Sequence, residues 1–340
     1  MIEQSEIVPG LVSVVVCAWN NWPDLEMTVE SALNQSYQHI EVVIVDNSSA
    51  DATAEEVPSR FGRRVRYIRQ SNKDTAGAYN AGFEVARGEY IQFVDGDDVL
   101  APNKIEKQLE VFRADPKVDI VYGDARMFQT LAAAASWIDP PTREESDIWY
   151  ALISPHVGIC ALGTLWHRRS IERVGPWDES LYVEDLDYFL RAAWAGCRFA
   201  HCPGGPMGFS RVRPSQKTEN SPAMARGLEI VWNKALGYVT REPYRGLIAS
   251  ELARHRFNMA LSRDLTKQEA LATLALARAT SPETVPKSVY FLTQAAILVP
   301  AIRAPWLRKI RRWVLSRLSL VSPRLPGSKS TSLNFLGARQ

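Results

Sequence analysis

The first hundred residues alternate between strand-like and helix-like segments, and this alternation limits the chain to few folds. Runs typical of strands occupy residues 11–19, 40–46, 64–70 and 89–95. The first two are rich in Val and Ile and largely apolar, as expected for strands covered on both faces of a sheet. Segments compatible with helices separate these runs, at residues 22–37, 46–57 and 75–86. The pattern predicts a mostly parallel sheet wrapped by helices.

The pattern changes further along the chain. An amphipathic helix at 101–116 and a strand at 118–124 continue the alternation, and 129–147 reads as a loop insertion. Residues 163–196 predict a short helix, a turn and a second helix, and beyond Ser221 the pattern is helical without further strands. The predicted segments are an α/β domain at 1–220 with halves of about 1–125 and 126–220, a helical extension at 221–302, a basic amphipathic helix at 303–322 and a disordered tail at 323–340.

Three aspartates within four positions follow the fourth predicted strand: Asp95, Asp97 and Asp98. Carboxylates this close repel one another unless a cation lies between them. Asp46 also ends a predicted strand, and because ligands of parallel sheets bind beyond the carboxyl ends of strands, it should share one crevice with Asp95. A Mg²⁺ or Mn²⁺ ion held by one or two carboxylates and completed by ligand phosphates would remove the repulsion. A solvated Asp-Gly turn is the alternative.

Several stretches in consistent order resemble the family-2 glycosyltransferases. They are SVVVCAWNN (13–21), IEVVIVDNSSADAT (40–53), AGAYNAGFEVARGEYIQFVDGDD (76–98) and VGPWDESLYVEDLDYFLRAAWAG (174–196). The resemblance implies an α/β fold of the GT-A type: a mostly parallel nucleotide-binding sheet flanked by helices and joined to an acceptor-binding half, here followed by a C-terminal helical extension. It also implies an inverting transferase that uses a nucleotide-diphosphate sugar.

The resemblance assigns roles to the residues that follow the first two strands. Ala18, Trp19 and Asn20 lie where the family lines the nucleobase pocket, and an aromatic ring there can stack on a base. Asp46 matches the acid that accepts a hydrogen bond from the imide N–H of the base, which favours uracil or thymine. A core position is the alternative for Trp19, and a helix cap is the alternative for Asp46.

The diphosphate and metal positions depart in part from the family pattern. Asn72 and Lys73 begin the loop beside the nucleotide. Tyr79 stands where many relatives carry a basic residue near the diphosphate, so Lys73 is the expected substitute. Asp95 and Asp97 are the expected metal and ribose–diphosphate ligands, with Asp98 in a supporting or capping position.

The second half of the resemblance supplies the chemistry. Asp185 is the expected base that takes the proton from the acceptor hydroxyl, with Glu184 as second choice. Favourable charge at a helix N-terminus is the alternative for both. Trp177 is expected at the substrate site, and Arg213 replaces a histidine common in the family. An arginine cannot ligate a metal, but it can neutralise a diphosphate.

The charge distribution predicts a membrane-facing end. After Glu283 the chain has ten Lys or Arg and no acidic residue, whereas the first 283 residues hold 30 basic and 38 acidic groups. Residues 304–320 place apolar side chains on one helical face and basic ones on the other, which predicts a peripheral helix on an anionic membrane surface. Packing of this helix on the acidic body is the alternative.

The cysteines and the termini indicate the compartment. Cys17, Cys160, Cys197 and Cys202 are few and irregularly spaced, which fits a reducing cytoplasm. The N-terminus lacks a signal-peptide pattern, and the apolar stretch at 289–302 is too short to span a bilayer. We therefore expect a cytoplasmic protein, with the tail holding it on the cytoplasmic face of the inner membrane.

Three functions are compatible with these sequence features. The first is transfer of a sugar, with UDP- or dTDP-sugars favoured, to a glycan or lipid-linked acceptor in surface polysaccharide or glycoconjugate synthesis; no nucleic-acid partner is expected. The second is a nucleotidyltransferase, which would need a Gly-rich basic loop after the first strand, whereas CAWNNWPDL (17–25) has none. The third is a sugar-nucleotide-binding protein without turnover, which the changes at Tyr79 and Arg213 favour.

Overall fold

The computed structural model describes residues 6–71, 74–128, 147–153, 159–213, 221–261 and 265–298. The chain divides into two compact units, residues 1–248 and 249–340. The sequence pattern predicted the end of the α/β domain near residue 220, and the boundary between the two compact units falls after Ile248, inside a helix. Asn72, Lys73, residues 129–146 of the predicted insertion, the basic helix at 303–322 and the tail at 323–340 lie outside the described residues.

The described residues of the first unit contain ten strands in two sheets. The strands are β1 (Val8–Ala18), β2 (Ile40–Asp46), β3 (Arg66–Arg69), β4 (Gly88–Asp95), β5 (Val99–Leu100), β6 (Ile120–Tyr122), β7 (Ala125–Phe128), β8 (Thr164–His167), β9 (Phe199–His201) and β10 (Gly208–Arg211). The larger sheet has the order β3-β2-β1-β4-β8-β6-β9. Within it only β8 runs antiparallel to its neighbours. The prediction of a mostly parallel sheet is confirmed.

The helices cover this sheet and continue into the second unit. Those of the described residues are α1 (Asp24–Leu33), α2 (Thr53–Phe61), α3 (Thr75–Val85), α4 (Lys104–Ala114), α5 (Ile148–Ile153), α6 (Arg168–Val174), α7 (Glu184–Trp194), α8 (Ser221–Tyr238), α9 (Tyr244–Ala260), α10 (Lys267–Thr280) and α11 (Lys287–Leu298). The predicted helix beginning at 163 is wrong at its start, because residues 164–167 form β8 and pair with both β4 and β6. Trp166 is fully buried in that strand.

The helix α3 packs its backbone closely on the centre of the sheet. A Cβ atom added at Gly82 would lie 2.2 Å from Cγ1 of Val15 and 3.2 Å from Cγ2 of Val45. Both valines are fully buried in β1 and β2. The glycine therefore allows the close approach that sets α3, and the residues at its N-terminal end, against the strand ends.

A fully buried lysine joins α4 to the sheet. The Lys104 ammonium donates to Oε1 of Gln92, to Oε1 of Gln108 at 2.5 Å and to the carbonyl of Thr164 at 3.0 Å. Burial lowers the pKa of Lys104 to about 7. Because these partners belong to α4, β4 and β8, this side chain ties the three elements together.

A small second sheet lies beside the cluster of aspartates. Strand β10 pairs antiparallel with β5 and parallel with β7. In this register Phe209 lies opposite Val99, directly after Asp98. The sequence pattern missed this sheet, since strands of two to four residues carry too little periodicity to be recognised. Because of this sheet, Arg211 and Arg213 lie near the end of β4.

Helix α7 is fixed to its neighbour by a buried acid. Asp187 is 1% exposed, and its two oxygens lie 2.8 Å from Nε of Arg191 and 2.9 Å from Nζ of Lys234 on α8. Lys234 also lies 2.6 Å from Oδ2 of Asp178. This ion-pair cluster positions the first turn of α7, where Glu184 and Asp185 lie.

The second unit is helical throughout its described part. Phe257, Leu274 and Val289 are buried together in its core. Helix α10 begins with a reciprocal cap, in which Thr266 accepts from the backbone N–H of Glu269 and the carboxylate of Glu269 accepts from that of Thr266. None of the described helices combines the length and apolarity that crossing a bilayer requires.

Candidate active site

The candidate donor residues converge at one edge of the large sheet. Ala18 pairs in register with Asp46, and its neighbour Cys17 pairs with Asp95. The two aspartates therefore end strands β2 and β4 on either side of β1. Trp19 follows directly and is 55% exposed, which excludes the alternative that it is a core residue.

The loop after β1 is held in a defined shape. Asn20 has a φ of 49°, in the left-handed region. Its side-chain oxygen accepts from the N–H of Ala50 at 2.7 Å, and its own N–H donates to Oγ of Ser49 at 3.0 Å. Asn20 thus ties the loop after β1 to the loop after β2, and leaves Trp19 facing solvent at the strand ends.

Asp46 is fully buried and already has partners. Its Oδ1 accepts from the N–H of Ser49 at 2.8 Å, and its Oδ2 accepts from the Tyr67 hydroxyl at 2.6 Å. Nη1 of Arg69 lies 3.5 Å from Oδ2. An N–H of a base can reach this carboxylate only if a neighbouring side chain moves aside. The sequence could have indicated these partners, because Tyr67 and Arg69 share one face of the strand beside β2.

The three clustered carboxylates differ in their surroundings. Asp95 is exposed, the side chain of Asp97 is 27% exposed and Asp98 is 6% exposed. Burial raises the pKa of Asp98 well above its usual range, and the charges of Asp95 and Asp97 raise it further. Oδ1 of Asp98 accepts from the N–H of Arg211 at 3.0 Å. Asp98 therefore faces β10 and caps its backbone.

The donor set fits a divalent cation that is completed by its ligand. Among the described residues, no three His, Cys, Asp or Glu side chains come together as a metal site. Asp95 and Asp97 offer two carboxylates, which is the usual protein contribution where phosphates bind the same Mg²⁺. The charges of Asp95 and Asp97 raise the pKa of Asp98, and a bound cation would relieve this repulsion.

Tyr79 holds Asp95 rather than standing in for a basic residue. Its hydroxyl donates to Oδ1 of Asp95 at 2.9 Å, and the residue is 2% exposed. Burial raises the pKa of Tyr79, and the charge of Asp95 adds to the rise. The ring packs 4.8 Å from that of Phe93 and 5.1 Å from that of Trp177. Tyr79 is therefore a neutral donor that orients one carboxylate of the pair.

Trp177 is a core residue, which corrects the expectation that its ring contacts substrate. It is 2% exposed, and its ring stacks on Tyr188 with centroids 3.9 Å apart. Asn80 fixes its backbone, accepting from its N–H at 2.8 Å and donating to its carbonyl at 3.0 Å. No free ring face remains for a ligand, so this residue joins α3 to the acceptor half.

The acids of the acceptor half lie at the start of α7, whose Tyr188 stacks on Trp177. Glu184 and Asp185 open α7, both half-buried, and Oδ1 of Asp185 accepts from the N–H of Leu186 at 2.7 Å. Burial dominates the raised pKa of Tyr79, and the charge of Glu184 contributes. Burial raises the pKa of Cys160 to about 12, with the charges of Asp98 and Asp185 contributing. Donor-half and acceptor-half acids thus act on the same buried groups.

Arg213 contacts Asp97, one of the two predicted metal ligands. Its Nε is 3.2 Å from Oδ2 of Asp97, and its Nη2 is 2.7 Å from Oδ2 of Asp24. Nη2 of Arg211 lies 3.3 Å from Oδ1 of Asp24. Burial raises the pKa of Asp97, and the guanidinium of Arg213 opposes that rise. The sequence pattern missed Asp24 and Arg211, because no local signal links α1 to β10.

Sequence comparison identifies the family and a relative that is named for its reaction. Residues 13–163 match the model of glycosyl transferase family 2. The chain is 30% identical over 182 residues to the UDP-Glc:alpha-D-GlcNAc-diphosphoundecaprenol beta-1,3-glucosyltransferase WfaP of Escherichia coli, covering 53% of this chain and 68% of that protein.

Structural comparison identifies the fold. The crystal structure of S. aureus TarS 1-349 in complex with UDP-GlcNAc matches with a TM-score of 0.63 at 15% identity, covering 90% of this chain and 92% of that one. The mannosyltransferase PcManGT from Pyrobaculum calidifontis, in complex with GDP-Man and Mn²⁺, matches with a TM-score of 0.55 at 19% identity, covering 92% and 88%. The strand-end aspartates, the mostly parallel sheet and these matches together show that the chain belongs to glycosyltransferase family 2 and is a glycosyltransferase of the GT-A fold.

Proposed function

We propose that this glycosyltransferase moves a sugar from a UDP- or dTDP-sugar to a hydroxyl of a glycan or lipid-linked acceptor, with inversion at the anomeric carbon. The proposal rests on the packing between Asp95 and α7: Tyr79 donates to Asp95 and packs on Trp177, and Trp177 stacks on Tyr188 of α7, the helix that Glu184 and Asp185 open. The strand-end carboxylates suit a nucleotide diphosphate, and the two acids that open α7 suit proton removal from an acceptor. The E. coli relative is named for a UDP-Glc donor and a diphosphoundecaprenol-linked acceptor.

The donor preference rests on Asp46 and Trp19. A carboxylate accepts the imide N–H that uracil and thymine carry, whereas cytosine offers no such proton. Guanine also has a ring N–H, so a GDP-sugar is the competitor. The exposed ring of Trp19 offers a flat surface for any base. Tyr67 and Arg69 set the access to Asp46, so they belong to this part of the site.

Asp95 and Asp97 would hold Mg²⁺ or Mn²⁺ together with the diphosphate. The bound ion supplies positive charge to the departing diphosphate. Tyr79 keeps Asp95 in one orientation through its 2.9 Å hydrogen bond. Lys73 and Arg213 are the expected side chains for the remaining phosphate charge, and they would act without taking part in coordination.

Asp185 would act as the base. A direct displacement has no covalent intermediate, so the protein needs one carboxylate that takes the acceptor proton and no nucleophile. The helix that carries Asp185 is fixed by the Asp187 ion pairs, which gives the carboxylate a defined position. Glu184, the neighbouring acid, is the second choice for the same role.

The acceptor side of the proposal includes a membrane surface. The basic segment at 303–322 would hold the protein on anionic lipid, where a lipid-linked acceptor is presented. We expect truncation after Pro300 to release the protein from anionic vesicles and to leave donor hydrolysis in solution largely intact. If the full-length protein does not bind such vesicles at low salt, the result would favour packing of the segment on the rest of the protein.

The deciding experiment is turnover with a panel of UDP-, dTDP- and GDP-sugars in the presence of Mn²⁺. We expect hydrolysis or transfer from a UDP- or dTDP-sugar, with product of inverted anomeric configuration by proton NMR. Preferred turnover of GDP-sugars would contradict the proposed preference for uracil or thymine. Binding of the donors without any turnover would favour the sugar-nucleotide-binding alternative.

A further inference from the structure

The guanidinium of Arg213 joins carboxylates from two distant parts of the chain. Asp97 follows β4, and Asp24 opens α1, yet they lie 3.2 Å and 2.7 Å from nitrogens of the same side chain. The three side chains are between 27% and 31% exposed. The bridge is therefore partly shielded from water, and its charges interact more strongly than those of open surface pairs.

Asp24 holds the bridge more firmly than Asp97 does. Its Oδ2 pairs with Arg213 and its Oδ1 pairs with Arg211 at 3.3 Å, whereas the carboxylate of Asp97 pairs with Arg213 at 3.2 Å. Favourable charge at the N-terminus of α1 would account for an acid at position 24, but not for its contact with two arginines. The geometry indicates that Asp24 has a part in placing Arg213.

The bridge conflicts with a metal ion on the same carboxylate. A ligand oxygen lies about 2.1 Å from a bound Mg²⁺ ion. At this distance the charge of the ion repels a second cation on the same carboxylate. Nε of Arg213 is 3.2 Å from Oδ2 of Asp97, and arginine cannot itself ligate a metal. A metal ion that binds the carboxylate of Asp97 would share it with the guanidinium of Arg213 against charge repulsion, so metal binding is favoured when Arg213 moves away.

We propose that Arg213 is the counter-ion of Asp97 until donor and metal bind together, and that Asp24 is the positioning residue that retains the displaced guanidinium beside the diphosphate. The inference rests on the proposed use of a nucleotide-diphosphate sugar. It follows that metal and diphosphate favour each other's binding, because the diphosphate offers Arg213 a new anionic partner when the metal takes Asp97. Such coupling is reciprocal.

The first test measures Mn²⁺ alone, by electron paramagnetic resonance titration of the full-length protein without nucleotide. We expect weak binding to the wild type and about fivefold to tenfold tighter binding to Arg213→Gln, which frees Asp97. Arg211→Gln is the matched control, because it removes the same charge and the same kind of contact with Asp24 but leaves the Asp97 ion pair. Equal gains in the two variants would mean general electrostatics and would overturn the counter-ion role.

The second test assigns Asp24. With Mn²⁺ present, we expect Asp24→Asn to weaken UDP binding severalfold in calorimetry while uridine binding stays unchanged, because the lost contact concerns the diphosphate. In the Arg213→Gln background the same change should have little further effect. An undiminished effect in that background, or an equal loss for uridine, would show that Asp24 does not act through Arg213.

The two proposals fail separately. Metal and UDP binding measure the exchange at Arg213, whereas turnover with donor sugars measures the transferase reaction. Thermal unfolding of each variant identifies a misfolded protein, and in that event the Mn²⁺ titration of the wild type alone still tests the counter-ion role. Tight Mn²⁺ binding to the wild type without nucleotide would by itself refute the inference and leave the proposed function standing.

Discussion

Asp185 and Asp187 lie two residues apart in the first turn of α7, and we expect opposite consequences when each is changed to Asn. Asp187 is 1% exposed and lies 2.8 Å from Arg191 and 2.9 Å from Lys234, whereas Asp185 is half-buried. The first acid is part of the structure of the acceptor half. The second is the proposed base.

The magnitude for Asp187→Asn follows from its ion pairs. Breaking a buried pair costs about 3–5 kcal/mol when the remaining charge is isolated. Here the partners are 19% and 32% exposed, Lys234 keeps Asp178 at 2.6 Å and Arg191 keeps the carbonyl of Val174 at 3.1 Å. We therefore expect a loss of about 2 kcal/mol in the free energy of unfolding, or about 4–8 °C in Tm for a unit of this size.

Asp185→Asn should leave stability nearly unchanged, since charge at a helix N-terminus contributes about 0.3–1 kcal/mol. Turnover with donor and acceptor saturating should fall about a hundredfold or more, because the amide cannot accept the proton. Thermal unfolding by circular dichroism and a transfer assay on both variants give the comparison, each variant serving as the other's control. Wild-type Tm in Asp187→Asn, or near-normal turnover in Asp185→Asn, would refute the reasoning.

Three further predictions concern the core and the metal ligands. Burial lowers the pKa of Lys104 to about 7 from 10.5, so above pH 7 the unfolded chain holds a proton that the folded protein has released. The free energy of unfolding should then rise between pH 7 and about 7.5, below the range where unfolded cysteines titrate around pH 8.5, and Lys104→Met should remove that rise in denaturant titrations. Gly82→Ala should lower the free energy of unfolding by about 1–3 kcal/mol, because the added Cβ meets Cγ1 of Val15 at 2.2 Å. Adding Val15→Ala to the same chain should recover part of this loss, and additive losses would contradict the close approach. UDP affinity in calorimetry should depend on Mn²⁺, and equal affinity with a chelator present would exclude the metal role. Asp97→Ala should weaken UDP binding far more than Asp98→Ala, because the carboxylate of Asp98 caps the backbone of β10.

The sequence by itself determined the central parallel strands and the edge of the sheet at which Asp46 and Asp95 lie. Strands buried on both faces must be apolar along their length, so β1, β2 and β4 could be recognised without any partner being known. The predicted run at 40–46 coincides with β2, and that at 89–95 differs from β4 by one residue. Because parallel strands carry ligands at their carboxyl ends, Asp46 and Asp95 could be placed at one edge from their positions alone.

Only the tertiary structure decided the short strands and the partners of the site. Strand β8 has four residues, and its direction depends on pairing with β4 and β6, which lie far away in the chain. The contact of Arg213 with Asp24 arises in the same way, from a three-stranded sheet whose members carry no periodic signal.

The roles of chemically equivalent residues were also decided by packing. Trp19 and Trp177 were both expected at the substrate site, yet one is 55% exposed and the other 2%. Asp185 and Asp187 are alike as acids of one helical turn, and what separates them is that Asp187 meets Lys234 of α8. Exposure and charge pairing depend on which elements meet in space, and a local sequence pattern carries no information about that meeting.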